Sequence, residues 1–491
     1  MLKKIENIIN KKNFEYFLLF LILILGFVVR LYKINNPVAD WHSWRQADTA
    51  SVTRFFVSEG VNLLTPKYHD ISSIQTGIFN PKGYRMVELP IYNLITTIFI
   101  KQFPFISLEV WSRLVTILAA LITGLFLYLI GKRLMGKWGG LLTSFFYLFI
   151  PYNIYFTRTI LPDPLGVTFS VVSLWAFLKF SEDEGEWYMF LSAIFFALAM
   201  LIKPYLAFYL IPITYLAIKK YGLKTIIKNR WVMLKAVMFT TIIFVPFFAY
   251  RIWESRFPEG IPFYKWAFNG SGIRFKPSFW YWIFGQRLSH LILGGLGIVP
   301  FIFGVLNKKP KNSFINYCLF GVFVYVLAVA SANVMHDYYQ ITIIPVIALT
   351  LASGTVFLWN QTYFDTLLTR TVLTVSIGVM LITGWSLVKD NFNINHPEII
   401  EAGKRVDEIT PKDALVIATY NGDTAFLYQT KRSGWPVLDN SIDNIIEEGA
   451  TYFASVDLGS KDTVMIASRF KTIEKTDKYI IIDLTSPLKI K

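Results

Sequence analysis

Charge and cysteine are both scarce in this chain of 491 residues. Charged residues make up 16% of it and hydrophobic residues 54%, whereas soluble domains carry about 25% charged residues. A single cysteine, Cys318, cannot form an intramolecular disulfide. These shortages exclude a disulfide scaffold and a soluble globule of this size, and the high hydrophobic content excludes a disordered chain. The long apolar runs indicate a polytopic membrane protein.

The formal net charge of +15 is distributed unevenly along the sequence. Residues 391–491 hold 12 Lys/Arg and 15 Asp/Glu, whereas residues 1–390 hold 36 and 18. Basic charge in a hydrophobic region is typical of membrane topology and of contact with anionic lipid. Nucleic-acid binding is therefore not expected, because the chain offers no soluble basic face.

Hydropathy and basic clusters together predict about eleven α-helical spans. The first covers 17–29, follows four lysines and lacks a cleavage site, so we expect an anchored span rather than a signal peptide. The other predicted spans are 110–131, 138–157, 164–180, 187–203, 205–218, 232–251, 288–306, 314–332, 338–358 and 371–389. Basic turns at 132–137, 219–230 and 308–311 are expected in the cytoplasm. This topology predicts a plasma-membrane protein with a cytoplasmic N-terminus.

Two domains are predicted from the same pattern. Residues 1–390 form the transmembrane domain, with an outer loop over 34–109 in which 90–103 is too short for a span and is expected to be an interfacial or re-entrant helix. A second outer loop, 252–287, is rich in aromatic residues. The tail, 391–491, alternates β-like and helix-like runs and predicts a small extracytoplasmic α/β domain.

The densest polar cluster follows the first span. It contains Asp40, His42, Arg45, Gln46 and Asp48, a plausible acid/base and anion-binding set. It leads into a stretch that is predicted to be an amphipathic helix on the membrane. The alternative is a solvated interfacial loop anchored by its tryptophans.

A second cluster lies at the outer end of the third predicted span. Asp163 stands between two prolines at the membrane edge, where ionisable groups are commonly functional, and Arg158 is its expected partner. The alternative is a plain turn-forming aspartate. Glu88 begins the short helix and Lys203 begins another span from outside, and each is either a functional group or an anchor at the lipid boundary.

A third cluster begins the tenth predicted span and contains His336, Asp337, Tyr339 and Gln340. Its alternative is a helix cap within an aromatic belt. All five histidines of the chain fall on the predicted outer side, which indicates that the chemistry faces outward. They are His42, His69, His290, His336 and His396.

No spacing in the sequence is typical of a zinc, haem or iron–sulfur site, a phosphate-binding loop or a nucleophile elbow. We therefore expect no cofactor, although a divalent cation is left open.

Four motifs in order resemble the membrane glycosyltransferases of the GT-C fold, in particular the protein-O-mannosyltransferase and aminoarabinose-transferase superfamily. They are WRQADT, ELPIYN, GKRLMGKWGGLLTSFFYLFIPYNIYFTRTILPD and MHDYYQITIIP. The likeness covers most of residues 15–360, and YQTKRSGWPV is similar to the outward domains of bacterial members.

The resemblance implies an inverting transfer of a sugar from a polyprenyl-phosphate carrier to a lipid, glycan or protein acceptor on the outer face of the membrane. It implies a general base in the first outer loop and a second acidic residue after the third span, which matches Asp163. Many relatives carry an Asp-Glu pair where this chain has Arg45 and Gln46, so the base is expected to be Asp48, or else Asp40. Cationic candidates for the leaving phosphate are Arg45, Arg158, Lys203 and His336.

Two other classes of protein compete with a transferase. A transporter or flippase for lipid-linked sugars would be expected to show internal repeats and mid-membrane charges, and this sequence shows neither. A structural scaffold would tolerate substitution of Asp48 and Asp163. The sequence favours the transferase, partly through an analogy of fold.

Overall fold

The computed structural model of the chain describes residues 12–270, 272–307 and 313–488. The basic turn predicted on Lys308, Lys309 and Lys311, and Lys3, Lys4 and Lys11 before the first span, lie outside these ranges. The α-helices of the membrane part are α1 Lys12–Arg30, α2 Ser43–Ser58, α3 Ile91–Gln102, α4 Leu108–Phe149, α5 Pro151–Phe156, α6 Asp163–Ser181, α7 Trp187–Ile202, α8 Leu210–Tyr221, α9 Leu223–Lys228, α10 Arg230–Glu254, α11 Trp266–Asn269, α12 Pro277–Trp280, α13 Ile298–Leu306, α14 Ser313–Ala328, α15 Ala330–Met335, α16 Ile344–Asn360 and α17 Thr366–Val388.

Shorter helical elements and the tail complete the structure. The 3₁₀-helices are Pro204–Tyr209, Pro258–Gly260, Ile273–Phe275, Asp337–Ile343 and Lys389–Phe392, and a π-helix covers Tyr281–Ile292. The tail contains α18 Glu398–Ile409, β1 Leu415–Thr419, α19 Ala425–Thr430, β2 Ser433–Trp435, α20 Ile442–Glu447, β3 Tyr452–Ser455, α21 Lys461–Arg469, β4 Phe470–Lys475 and β5 Ile480–Pro487.

Six helical segments of the described chain are long and apolar enough to cross a membrane. They are Asn13–Arg30, Leu108–Phe149, Asp163–Ser181, Arg230–Glu254, Asp337–Asn360 and Thr366–Phe392. The helices α7 and α14 are apolar but shorter. The chain is therefore a mostly helical membrane protein, whereas the predicted count of eleven spans and the predicted sidedness stay predictions.

The long helix α4 is a hairpin of two antiparallel arms. Its backbone leaves helical geometry at Gly136, where φ is 78°, a value that glycine adopts without strain. A Cβ on Gly131 would lie 2.9 Å from the carbonyl oxygen of Gly139, so the arms touch through their backbones. The first arm corresponds to the predicted span 110–131, whereas the predicted span 138–157 is divided between the second arm and α5 by non-helical backbone at Ile150.

The predicted span 288–306 is wrong as a continuous helix. The π-helix ends at Ile292, and a turn separates it from α13. In this turn Gly294 has a φ of 51°, and a Cβ there would lie 2.4 Å from the carbonyl oxygen of Met380. Close approach to α17 therefore breaks the helix at the glycines. The predicted span 205–218 is likewise split between the 3₁₀-helix Pro204–Tyr209 and α8.

A five-stranded sheet with the order β2-β1-β3-β5-β4 lies in the tail. The strands β2, β1 and β3 are parallel, and β5 runs antiparallel to β3 and β4. Ile417, Phe453 and Ile482 are fully buried in the sheet's core with α20 and α21 against them. At the edge, Gly434 of β2 exchanges backbone hydrogen bonds with the chain at His69 and Ile71. The first loop thereby covers an edge strand that would otherwise be unpaired.

Helix α2 is enclosed between this tail and the membrane part, packing against α3 and α19. Every residue from Arg45 to Thr53 is buried. The prediction that this stretch lies on the membrane as an amphipathic helix is therefore wrong, and so is the alternative of a solvated loop. Polar side chains are tolerated on its buried faces because they are paired with partners from distant segments.

Candidate active site

Two buried ion pairs lie together at the end of the bundle that faces the tail. Arg45 Nη2 donates to both oxygens of Glu88 at 2.8 and 2.9 Å. Lys203 Nζ lies 3.0 Å from Asp163 Oδ1. None of the four side chains is more than 9% exposed. The two pairs also interact, because Lys203 contributes to holding the charged form of Glu88.

The pKa of Glu88 shows which effect dominates in this cluster. Burial alone would raise that pKa, since it disfavours the charged carboxylate. The positive charges of Arg45 and Lys203 more than compensate, so the pKa lies below its ordinary value. Glu88 is therefore ionised at neutral pH.

Local structure explains the position of the second pair. Asp163 is the first residue of α6, and Pro164 follows it at a position where a missing N–H costs nothing. Lys203 has an extended backbone between α7 and the 3₁₀-helix that starts at Pro204. Its ammonium group lies 5.5 Å from the ring centre of Tyr339. The prediction that Arg158 is the partner of Asp163 is thus wrong, and Lys203 is not an anchor at the lipid boundary.

The carboxylate of Asp163 is unusual in its hydrogen bonding. Its side chain is 1% exposed, yet neither oxygen accepts a hydrogen bond of suitable geometry from any described residue. A buried carboxylate without hydrogen bonds is costly, and such groups concentrate at functional sites. Asp163 is therefore available to accept a hydrogen bond or a proton from a bound molecule.

Asp40 occupies a closed network behind this site. Gln46 Nε2 donates to Asp40 at 2.6 Å, and Gln46 Oε1 accepts from the backbone N–H of Ile160 at 3.1 Å. Arg158 Nη2 lies 3.4 Å from Asp40, with both side chains fully buried. The network joins the first loop to the segment before α6, because Arg158 comes from that segment.

Asp48 has a different set of partners. Arg85 forms an ion pair with it at 2.8 Å, and the hydroxyl of Thr424 donates to it at 2.8 Å. Gln75 Nε2 lies 3.4 Å from Asp48 and 3.2 Å from Asp70. Asp48 also lines a small cavity shared with Arg45 and Glu88.

A second buried carboxyl group accompanies Asp48. Burial raises the pKa of Asp70 to about 7, and the negative charge of Asp48 adds to the rise. Hydrogen bonds from Ser72 oppose it. The carboxyl of Asp70 is therefore partly protonated near neutral pH.

The third predicted cluster meets the first. His42 Nε2 lies 2.5 Å from Asp337 Oδ1, and Trp41 Nε1 donates to Asp337 Oδ2 at 3.2 Å. Arg287 Nη1 lies 4.0 Å from the same carboxylate. Asp337 is therefore not a helix cap, since its side chain is bound to the first loop and to the π-helix.

An aromatic wall surrounds His336. Its ring centre lies 5.5 to 5.8 Å from those of Trp266, His42 and Tyr338. Burial, aided by His42, lowers the pKa of His336 to about 4, so its imidazole is neutral at physiological pH. Gln340 points elsewhere, because its amide nitrogen donates to Asn333.

Sequence reasoning missed several partners in this region. They are Asp70, Gln75, Arg85, Arg287 and Thr424. Each reaches the site from a loop, the π-helix or the tail. Of the other histidines, His69 Nε2 accepts a hydrogen bond from Arg54, and exposed His396 pairs with Glu398, so neither joins the ion-pair cluster. Within the described ranges, no group of three His, Cys, Asp or Glu side chains is placed to hold a metal ion.

Comparison with known proteins identifies the fold. Residues 88–250 match the family model of dolichyl-phosphate-mannose-protein mannosyltransferases, and no curated protein matches the chain. The structure of ArnT from Cupriavidus metallidurans bound to undecaprenyl phosphate is similar, with a TM-score of 0.64, 12% identity, and coverage of 94% of this chain and 97% of ArnT.

Two structures from Archaeoglobus fulgidus are also similar. The oligosaccharyltransferase in complex with Zn and sulfate gives a TM-score of 0.57 at 10% identity, covering 92% of this chain and 71% of that one. AglB in complex with an inhibitory peptide and a dolichol-phosphate gives 0.58 at 10% identity, covering 94% and 73%. The predicted resemblance to membrane proteins of the GT-C fold is thereby confirmed.

Proposed function

We propose that the chain is an inverting glycosyltransferase that moves a sugar from a polyprenyl-phosphate-linked donor to a lipid, glycan or protein acceptor on the outer face of the membrane. One observation carries the proposal. A buried carboxylate that is ion-paired with Lys203 but accepts no hydrogen bond of suitable geometry from the described residues, Asp163, lies beside a second ion pair, in a chain whose fold matches structures solved with polyprenyl phosphates.

The proposed reaction is a single displacement. The acceptor's hydroxyl oxygen bonds to the anomeric carbon while the bond between that carbon and the phosphate oxygen breaks. The polyprenyl phosphate leaves with the electron pair, and the hydroxyl proton passes to a carboxylate. Attack on the face opposite the leaving group inverts the anomeric centre.

The cations of the cluster suit the leaving phosphate. Lys203 carries a compact charge on a buried side chain, and Arg45 presents a planar guanidinium that Glu88 orients. As charge develops on the leaving group, such preorganised cations stabilise it without reorganisation. Arg45 is the better candidate, because inverting attack places the phosphate on the side of the anomeric carbon opposite the proton acceptor, whereas Lys203 lies 3.0 Å from Asp163, which we propose as that acceptor.

Three carboxylates compete for the role of proton acceptor. The sequence favours Asp48, with Asp40 as its alternative. The hydrogen-bond geometry favours Asp163, because it has an ion pair with Lys203 but accepts no hydrogen bond of suitable geometry from the described residues. By contrast, Asp40 is bound by Gln46 and Arg158, and Asp48 by Arg85 and Thr424. We propose Asp163 as the acceptor and Asp48 as a carboxylate that organises the first loop.

A transfer assay tests both the proposed reaction and the proposed proton acceptor. Membranes that contain the chain are given a panel of labelled polyprenyl-phosphate sugars, and wild type is compared with Asp163→Asn, Asp48→Asn and Asp40→Asn. Asp462→Asn, an exposed carboxylate of α21, is the matched control. We expect one donor to lose its label to product, with a 10²- to 10⁴-fold loss in the variant of the true base.

Two outcomes would contradict the proposal. If every donor keeps its label while labelled lipid changes leaflet, the chain is a transporter. If transfer occurs but survives all three substitutions, the cluster is not the reaction centre. The absence of a cofactor stays a prediction, and transfer measured after chelation with EDTA tests it.

A further inference from the structure

A second cavity lies at the far end of the bundle from the candidate active site. Helix α6 connects the two, because Asp163 is its first residue whereas Phe177 and Phe180 of its last turns line the cavity. A helix of this length spans about 27 Å. The cavity therefore belongs to the opposite membrane face and takes no part in the proposed transfer.

The lining of this cavity is almost wholly apolar. It has a volume of about 270 Å³ and lies between α6, α7, α8, α9 and α10. Beside it, α10 exposes Trp231, Leu234 and Val237 to the surroundings. In a bilayer these surroundings are lipid chains, so an acyl chain can enter the cavity without crossing polar protein surface.

The mouth of the cavity is strongly basic. Lys220 and Lys235 are paired with Asp183 and Glu186. By contrast, Lys219, Lys224, Lys228 and Arg230 have no acidic partner among the described residues, and all four are exposed. This unbalanced positive charge lies directly beside the lining residues of α9 and α10.

Helix α9 has the composition of a segment at the membrane interface. Leu223 and Ile227 are 57% and 65% exposed, although both are apolar. Lys224 and Lys228 alternate with them in the same six residues. Apolar side chains toward lipid with adjacent lysines are typical of a helix at the level of the headgroups.

We propose that this cavity holds one acyl chain of an anionic phospholipid whose phosphate contacts Lys224, Lys228 and Arg230. Charge complementarity selects the anionic lipid over a zwitterionic one, because four unpaired cations border the mouth. Basic pockets between transmembrane helices bind anionic headgroups in this way.

Lipid binding to the purified full-length chain tests the proposal by native mass spectrometry. The probes are phosphatidylglycerol and phosphatidylcholine with identical acyl chains, added to delipidated protein. Wild type is expected to bind phosphatidylglycerol at least tenfold more tightly. Each basic residue near a surface contributes about a fivefold effect, so Lys224→Ser/Lys228→Ser/Arg230→Ser is expected to weaken phosphatidylglycerol binding on the order of 100-fold.

A second variant addresses the cavity rather than the charge. Ala217→Phe/Ala236→Phe fills the space and is expected to weaken both lipids, whereas Ile382→Phe on the exposed face of α17 is its control. Lys461→Ser/Lys471→Ser/Lys475→Ser, on the exposed surface of the tail, controls for the loss of charge. Equal binding of both lipids by wild type would overturn the proposal.

The other outcomes of the lipid-binding experiment also support or overturn the proposed lipid site. Weaker binding in the charge variant and in the cavity variant, with both controls unchanged, supports the site. Wild-type binding in the cavity variant overturns it. Displacement of phosphatidylglycerol by equimolar undecaprenyl phosphate would assign the cavity to the carrier instead. If the charge variant does not fold, the lipid preference of wild type and the cavity variant still test the proposal.

Discussion

The hydroxyl of Thr424 donates a hydrogen bond of 2.8 Å to the buried carboxylate of Asp48. The two residues are 376 positions apart in the sequence. Next to this contact, Ser43 donates to Asp423 at 2.8 Å, so two consecutive tail residues hold the start of α2. The tail therefore contributes hydrogen-bonding residues to the candidate site.

Replacing Thr424 with valine keeps the shape of the side chain and removes the hydroxyl. A hydrogen bond to a charged group contributes about 1.5–3 kcal/mol, so we expect a lower thermal midpoint and weaker transfer. Thr430→Val is the matched control, because the hydroxyl of Thr430 bonds only within the tail: it donates to the carbonyl oxygen of Leu427 and accepts from the backbone N–H of Arg432. Equal effects of the two substitutions would show that Asp48 does not depend on the tail.

Replacing Lys203 with methionine leaves the carboxylate of Asp163 buried without a counter-charge. Breaking a buried pair from one side costs about 3–5 kcal/mol. We expect Lys203→Met to unfold at a markedly lower temperature and to lose transfer. The double variant Lys203→Met/Asp163→Asn removes the uncompensated charge, so its thermal midpoint should recover while its activity does not. Recovery of activity would contradict the proposed roles.

The raised pKa of Asp70 predicts that the stability of the fold depends on pH. Its pKa rises from 3.8 in the unfolded chain to about 7 in the folded one, mainly through burial. The folded state therefore binds more protons between these values, and the free energy of unfolding falls as pH rises from about 4 to about 7.

Asp70→Asn removes this titration while keeping the acceptor for Ser72. We expect its thermal midpoint to change less with pH than that of wild type over this window, measured in the same detergent. A wild-type midpoint that rises in parallel with the variant's would contradict the raised pKa of Asp70.

A glycine contact between α13 and α16 predicts a large effect of one methyl group. A Cβ on Gly354 would lie 1.7 Å from the carbonyl oxygen of Pro300, whereas one on Gly378 meets nothing within 4 Å. Small residues allow such close helix packing in membranes. We expect Gly354→Ala to lower the thermal midpoint strongly and Gly378→Ala to leave it nearly unchanged, and equal midpoints would contradict this packing.

The sequence predicts all four residues of the ion-pair cluster as site residues, but not how they pair. Arg45, Glu88, Lys203 and Asp163 were all predicted as site residues, and the structure brings them together. The choice of Arg158 as the partner of Asp163 rested on sequence proximity. The actual partner is 40 positions away, because pairing is decided by the packing of α6 against α7 and not by spacing along the chain.

The burial of α2 could not be predicted from hydropathy. Its buried side chains include Arg45, Gln46, Asp48 and Thr49, which a polarity pattern assigns to a surface. Their partners, such as Arg85 and Thr424, come from segments with no distinctive composition. When a buried helix is held by polar side chains in a hydrogen-bond network, its sequence lacks the apolar face that usually indicates burial.

Single-turnover transfer from a polyprenyl-phosphate sugar labelled in the sugar, in membranes that contain the chain and supply the acceptor hydroxyl, tests the central claim most directly. The account predicts that wild type separates sugar from carrier, and that Asp163→Asn binds the donor yet cleaves it at least 10²-fold more slowly. Asp462→Asn should behave as wild type. Wild-type cleavage by Asp163→Asn, or movement of intact donor between leaflets without cleavage, would contradict it.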